Sequence, residues 1–265
     1  MYNLKDTPTT LGRVFLGLQG ASGSGKTTAA CTFPNPIVAD FDNGLGAMAG
    51  RDITVIPFYD EKFVMEKLQA KAKLGMLEQN TPFRAVNRRD AFRKWLDDEA
   101  IKLKPEQTLI IDSWTAVQNA FDFWTEANPS YSKSGDLDSY AFWRLKAFWS
   151  CDVMEKLKSL PCNVVVCFHE LQQRDKATGM LTEKVQPLQD GKFVAEIKMH
   201  FSCFYRQLAV SKLDGAAKPR ILDGIKFEND IEYIWQVGAD KEFDGKNRIN
   251  SIKTKYVKAT YESLK

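Results

Sequence analysis

The stretch "GASGSGKTT" (residues 20–28) decides the fold. Its glycines, lysine and threonine follow the pattern G-x-x-x-x-G-K-T, which is the spacing of the P-loop. An apolar run, "RVFLGLQ" (13–19), precedes the motif, and a short helical pattern, "TTAACTF" (27–33), follows it. Glycines let successive backbone N–H groups turn inward, and the positive end of the helix points to the same place. The sequence therefore predicts a loop that binds the phosphates of a nucleotide through Gly20, Ala21, Ser22, Gly23, Ser24, Gly25, Lys26, Thr27 and Thr28.

Two side chains of this loop are expected to act directly on the nucleotide. Lys26 can reach the β- and γ-phosphates, and the Thr27 hydroxyl can bind Mg²⁺. A second Mg²⁺ contact is expected from Asp112, which ends the apolar run in "LIIDS" (109–113). Ligands lie at the carboxyl ends of the strands in open α/β sheets, and a carboxylate there can hold Mg²⁺ through water. The alternative is that Asp112 caps the helix that starts at Trp114.

A pair of acids follows the P-loop in "DFDNG" (40–44). Asp40 and Asp42 close an apolar strand, and a carboxylate in this position can orient or deprotonate an attacking water. We take Asp42 as the first candidate for this catalytic role and Asp40 as the second. The alternative is a tight turn in which Asp42 and Asn43 serve the chemistry of the turn itself.

His169 follows the apolar run "VVVCF" (164–168) and is a third candidate. A polar side chain there can touch the γ-phosphate and report its presence to the following loop, while the alternative is a histidine that bonds the backbone. A metal site formed by Cys162, Cys167 and His169 is also open, although their alternation is more typical of a buried strand.

Composition excludes several classes of protein. The net charge of +3 over 265 residues is too small to attract nucleic acid to the protein as a whole, so any surface that binds nucleic acid must be a local basic patch. No apolar run is long enough to span a membrane, and the start of the chain lacks a signal-peptide pattern. The five cysteines form no CxxC pair. We expect reduced thiols and a cytoplasmic location.

Strand-like and helix-like segments alternate over the first two thirds of the chain. The expected strands are 13–20, 36–42, 52–58, 107–113 and 163–170, and the expected helices are 27–33, 61–79, 88–104, 114–127 and 137–160. Continuous apolar strands joined by helices predict an α/β fold with a mostly parallel central sheet flanked by helices. The last third predicts antiparallel strands added to the same sheet, at 171–187, 201–224, 231–238 and 248–259. We expect a single domain over residues 1–265, with a core of about 11–257.

Two further clusters are interpreted as structural. A basic group on one predicted helix favours a solvated or subunit-facing surface; its members are Arg84, Arg88, Arg89, Arg93 and Lys94. An aromatic group at helical spacing favours packing against the sheet; its members are Phe142, Trp143, Phe148 and Trp149.

Together, the motifs resemble the core of the RecA-type recombinases. The matching stretches are "DFDNGL" (40–45), "LIIDS" (109–113), "VVVCFHE" (164–170) and "IKTKY" (252–256). They are similar to those of the short RecA-like ATPases of bacteriophages that act in single-strand annealing and recombination. This resemblance implies a RecA-like P-loop NTPase that hydrolyses ATP with Mg²⁺. It also implies that Asp42 takes the place of the water-activating acid and His169 that of the γ-phosphate sensor.

The same resemblance implies partners. Single-stranded DNA would be contacted by mobile loops after the sensor strand, here through Arg174, Lys176, Lys184 and Lys192. The chain would self-associate into a ring or filament, and Lys253 or Lys255 would reach the γ-phosphate held by a neighbouring subunit. A single-stranded-DNA-binding protein is a further candidate partner, and a membrane is not. Two other hypotheses for the function stay open: a nucleotide-gated module that binds a protein, such as a loader, and a small-molecule kinase.

Overall fold

The computed structural model describes residues 12–64, 83–131, 134–136, 138–175, 177–189, 193–214, 218–222, 225–249 and 251–265. Its strands are β1 Phe15–Gly20, β2 Pro36–Asp40, β3 Thr54–Pro57, β4 Thr108–Asp112, β5 Asn163–Arg174, β6 Leu181–Pro187, β7 Cys203–Ser211, β8 Ile231–Gln236 and β9 Tyr256–Lys258. Its α-helices include α1 Lys26–Ala30, α2 Phe83–Asp98, α3 Trp114–Ala127, α4 Ser139–Ser159 and α5 Phe193–His200.

The strands form one sheet in the order β3-β2-β4-β5-β1-β7-β8-β9, with β6 paired to β5. The pairs from β3 to β7 are parallel, whereas β7–β8, β8–β9 and β5–β6 are antiparallel. The apolar runs of β1 and β4 are buried along their whole length, as a sheet covered on both faces requires. The predicted α/β class, with antiparallel strands in the last third, is confirmed.

Alternate residues of each central strand pack on opposite faces of the sheet. On β5, Val164 and Val166 belong to one hydrophobic core, while Val165 and Cys167 belong to the other. Cys162 lies in the first core and Cys167 in the second. These two thiols therefore cannot share a metal ion, and the alternative metal site is wrong.

The later part of the chain departs from the predicted elements in several places. Strand β5 does not end at residue 170, as expected, but continues to Arg174 and pairs with β6 in an antiparallel hairpin. Among the described residues of segment 201–224, the one regular strand is β7, and its antiparallel partner is β8. Helix α5 was not expected, although its buried Ile197 lies four residues from Phe201, a helical spacing. Most of the predicted helix 61–79 lies outside the described residues.

The aromatic group of α4 is divided by the structure. Trp149 is buried and stacks on Phe121 with ring centroids 4.7 Å apart, as core packing predicts. The same prediction is wrong for Trp143 and Phe148, which are 48% and 72% exposed. They lie on the outer stripe of α4, because only its other face contacts the core. No helix among the described residues is long and apolar enough to cross a membrane.

Candidate active site at the P-loop

Four neighbouring strands of the sheet bring the predicted site residues together. The last residue of β1, Gly20, is paired with His169, and the last residue of β2, Asp40, is paired with Asp112. Strand β5 lies between β1 and β4 in the sheet. His169 is therefore placed between the P-loop and Asp112, at the carboxyl edge where ligands of such sheets bind.

Backbone conformation and close packing require glycine at three positions of the loop. Gly23 and Gly25 have φ values of +75° and +85°, a conformation that residues with a Cβ rarely adopt. A Cβ on Gly20 would lie 2.7 Å from the Gln207 carbonyl oxygen and 2.7 Å from the Ser24 hydroxyl. The backbone is therefore closely packed on one side and open toward the cleft on the other.

Lys26 is the first residue of α1 and lies inside the loop. Its ammonium donates to the carbonyl oxygens of Gly20, at 2.9 Å, and of Ala21, at 2.8 Å. The residue is only 6% exposed, and this burial lowers the pKa of its amine. A buried cation whose hydrogen bonds go to neutral carbonyls is well placed to gain from an incoming anion.

Thr27 and Asp112 meet across the site. The Thr27 hydroxyl donates to a carboxylate oxygen of Asp112 at 2.9 Å. The alternative role of Asp112 as a helix cap is wrong, because Ser113 accepts the capping hydrogen bond from the Ala116 N–H. Hydroxyl and carboxylate oxygens are the donors that Mg²⁺ prefers, so this pair fits the predicted metal. Burial raises the pKa of Asp112 to about 6, and the Thr27 hydrogen bond limits the rise.

This raised pKa makes a prediction about stability. The folded carboxyl group keeps its proton up to about pH 6, whereas the unfolded one loses it near pH 4. Stability from this group is therefore lost as pH rises through that window and stays low above it. Asp112→Asn is expected to raise the free energy of unfolding of the nucleotide-free, Mg²⁺-free protein at pH 7.5, by at most about 3 kcal/mol.

Denaturant titrations of both proteins at about pH 5 and about pH 7.5 measure this effect. The amide oxygen of asparagine can still accept from Thr27, so the comparison isolates the charge. A gain that is as large at the lower pH as at the higher would contradict the assignment.

The two acids after β2 have different roles in the structure. Asp40 is 1% exposed, and its carboxylate accepts the N–H groups of Asp42 and Asn43 at 3.0 and 2.9 Å. Asn43 has a φ of +56°. Asp40 and Asn43 therefore stabilise the turn, whereas Asp42 faces the cleft.

Asp42 faces His169 across the cleft, with a carboxylate oxygen 3.9 Å from Nε2 of the imidazole. Burial alone would raise the pKa of Asp42, but His169, Ser113 and Arg88 together bring it below its ordinary value. The carboxylate is therefore ionised at neutral pH. Glu170, which follows His169, is bound by Arg206, whose Nε lies 3.0 Å from its carboxylate.

Tyr233 is a site residue that the sequence did not indicate. It comes from β8, two strands from β1, and its ring lies so close to Gly25 that a Cβ there would be 2.7 Å from it. With Met48 and Ala47 it completes a cleft of about 420 Å³ around the P-loop, Asp42, Asp112 and His169. Tyr233 is 46% exposed, so part of this aromatic residue is open to a ligand.

The described residues among those predicted to contact partners do not line this cleft. On the β5–β6 hairpin, Arg174 donates to the Gly179 carbonyl at 3.1 Å and Lys184 pairs with Asp244 at 3.3 Å. Lys176 and Lys192 lie outside the described residues. In the segment before β9, Lys255 pairs with Asp240 at 2.7 Å, and Lys253 is exposed.

Comparison with known proteins adds the family. The family model described as "AAA domain" matches residues 14–249, a range that includes the P-loop, Asp42, Asp112 and His169. Among curated proteins, none matches the sequence. Since the family match spans most of the chain and covers the site just described, the chain belongs to the AAA domain family and is a P-loop ATPase.

Proposed function

We propose that this ATPase is a Mg²⁺-dependent enzyme of the RecA-like class, which acts as an oligomer on single-stranded DNA in recombination or annealing. The contact that carries the proposal is the 2.9 Å hydrogen bond between Asp112 and Thr27, which directly follows the buried Lys26. A hydroxyl and a carboxylate that could hold a metal therefore share one cleft with a cation that could bind a triphosphate. Bound Mg²⁺ would neutralise phosphate charge and polarise the β- and γ-oxygens.

The residues of the chain then have separate tasks in the hydrolysis of ATP. The N–H groups of the loop and the Lys26 ammonium bind the β- and γ-phosphates and stabilise the charge that develops on them. Asp42 orients the attacking water and accepts its proton as the bond from the γ-phosphorus to the bridging oxygen breaks. His169 contacts the γ-phosphate. It transmits the presence or loss of this phosphate to the β5–β6 hairpin, because His169 and the first arm of the hairpin belong to the same strand, β5.

Two features support an action on single-stranded DNA by an oligomer. The hairpin that would contact DNA is the direct continuation of the strand bearing His169, so that a change at the γ-phosphate has a short path to it. Lys253 and Lys255 precede β9, which lies three strands from β1, or about 14 Å at the usual spacing. From there they would serve the γ-phosphate of a neighbouring subunit. The resemblance to bacteriophage recombination ATPases supports the same conclusion.

The test is the ATP turnover rate with and without single-stranded DNA at low and high salt. We expect DNA to raise the rate and salt to abolish the increase, because binding to phosphates releases counterions. A variant with Arg174 and Lys184 both changed to glutamine should need more DNA for half-maximal stimulation. A turnover rate that ignores DNA at both salt concentrations would contradict the proposed substrate.

One observation favours a second candidate, a nucleotide-gated module that binds a protein. The outer stripe of α4 exposes Tyr140, Trp143 and Phe148, and aromatic residues are enriched at protein interfaces. Nucleotide binding with slow turnover and no response to DNA would favour this candidate over the first.

A further inference from the structure

One end of the cleft around the P-loop is formed by an aromatic ring. Tyr233 lines the cleft together with residues of the loop, and a Cβ on Gly25 would lie 2.7 Å from its ring. The residue is nevertheless 46% exposed. Tyr233 therefore presents an aromatic surface directly beside the loop that binds phosphates, although no step of the hydrolysis requires it.

Strand β8 holds this ring in a fixed place. Tyr233 pairs with Ala209 of β7 on one side, and on the other its carbonyl accepts the Ala259 N–H at 3.0 Å. Trp235, two residues further along β8, is directed to the same face of the sheet and packs in the hydrophobic core that contains Ala29 of α1. Tyr233 therefore lies on the face of the sheet that α1 covers, beside the loop that leads into this helix.

Tyr233 and the acids of the site lie on opposite sides of the loop. Asp42 follows β2, Asp112 ends β4 and His169 lies on β5, and these three strands are on one side of β1. Strands β7 and β8 are on the other side, and β8 is two strand spacings from β1, or about 10 Å. A nucleotide whose γ-phosphate faces the acids can therefore extend across the loop to Tyr233.

The other apolar residues of the cleft offer less surface to a nucleobase. Met48 is only 6% exposed, and its sulfur accepts the Thr28 hydroxyl at 3.7 Å. Ala47 has a single methyl group. Apart from His169, Tyr233 is the only aromatic residue among the described residues that line the cleft. Since a flat base gains affinity by stacking on an aromatic face, Tyr233 is the side chain best suited to bind it.

We propose that Tyr233 stacks on the base of the bound nucleotide and forms the base-binding end of the ATP site. The aromatic ring makes this contact, and the phenol hydroxyl is not needed for it. The inference rests on the ATP site of the proposed function and is independent of the proposed action on DNA. It assigns Tyr233 an effect on nucleotide affinity and none on the chemical step.

The experiment compares a non-hydrolysable ATP analogue with inorganic tripolyphosphate, which has a chain of three phosphates but no base. Isothermal titration calorimetry with Mg²⁺ and without DNA measures the Kd of each ligand. Tyr233→Ala is expected to raise the Kd for the analogue by about 5- to 100-fold, because the stacked ring is lost. The Kd for tripolyphosphate should change by less than about 3-fold, and this retained binding shows that the fold is intact. Tyr233→Phe should bind both ligands as the wild type does.

Steady-state hydrolysis gives a second measurement. In Tyr233→Ala, KM for ATP should rise by about 5- to 100-fold while kcat stays within about 3-fold of the wild type, since a contact made equally in the ground state and the transition state affects only KM. Ile231→Ala is the matched control. Ile231 lies two residues away on the same face of β8 and is 53% exposed, but it does not line the cleft, so both constants should be unchanged.

Tyr233→Leu separates the aromatic face from the bulk of the side chain. Leucine still fills space beside Gly25 but has no flat face, so it should bind the analogue more weakly than Tyr233→Phe does. If Tyr233→Leu binds the analogue as tightly as Tyr233→Phe, the stacking contact is refuted.

An equal loss of affinity for the analogue and for tripolyphosphate in Tyr233→Ala would overturn the inference, because the ring would then act through the shape of the loop. Unchanged affinity for the analogue in this variant would overturn it as well. Lys26→Ala should weaken the binding of both ligands. Normal binding of both by Lys26→Ala would instead overturn the phosphate site on which the inference rests, and this outcome is read from a separate arm of the experiment.

Discussion

Replacing Lys26 by alanine is expected to lower the rate of ATP hydrolysis by at least about 100-fold and to weaken nucleotide binding. The reason is its location: the ammonium is buried within the loop and bonded to the Gly20 and Ala21 carbonyls. Among the described residues that line the cleft, no other side chain is a lysine or an arginine. Without it, the phosphates would face the carboxylates of Asp42 and Asp112 with only backbone N–H groups in the loop.

The measurements are steady-state phosphate release and the affinity for a fluorescent ATP analogue. Lys102→Ala is the matched control, because Lys102 is exposed and lies ahead of the amino end of β4, away from the cleft. Wild-type turnover in Lys26→Ala would show that the loop is not the site of hydrolysis.

Replacing Asp42 by asparagine is expected to preserve ATP binding and to reduce turnover by about 100- to 10,000-fold. The amide has nearly the same shape as the carboxylate but cannot accept the proton of the attacking water. Binding should survive, because the phosphate contacts come from the P-loop. Single-turnover kinetics with prebound ATP separate the two effects.

Asp40→Asn is the matched control for this prediction. Its amide oxygen can still accept the two N–H groups of the turn, so turnover should stay close to that of the wild type. The opposite pattern, with slow hydrolysis in Asp40→Asn and normal hydrolysis in Asp42→Asn, would make Asp40 the catalytic acid.

The local parts of the site could be predicted from the sequence. The P-loop and "LIIDS" are short motifs whose residue types fix both conformation and contacts, because a glycine at positive φ and an acid at a strand end have few alternatives. The pairing of Thr27 with Asp112 follows once β1 and β4 are placed in one parallel sheet. The predicted fold class rests on the same local patterns.

The remaining parts depend on tertiary contacts that no local pattern records. Tyr233 reaches Gly25 because β8 is antiparallel to β7 in one particular register. Helix α2 lies behind the Asp42 turn because Phe92 packs on Phe41, a contact between distant segments. Trp143 and Phe148 are large aromatic residues of the kind that usually pack in a core, yet they lie on the stripe of α4 that faces away from the sheet.

A crystal structure with a non-hydrolysable ATP analogue and Mn²⁺ tests the central claim most directly. We expect the β- and γ-phosphates inside the loop against the Lys26 ammonium, and the anomalous signal of the metal between Thr27 and Asp112. An empty loop, with the nucleotide bound elsewhere on the protein, would contradict the account.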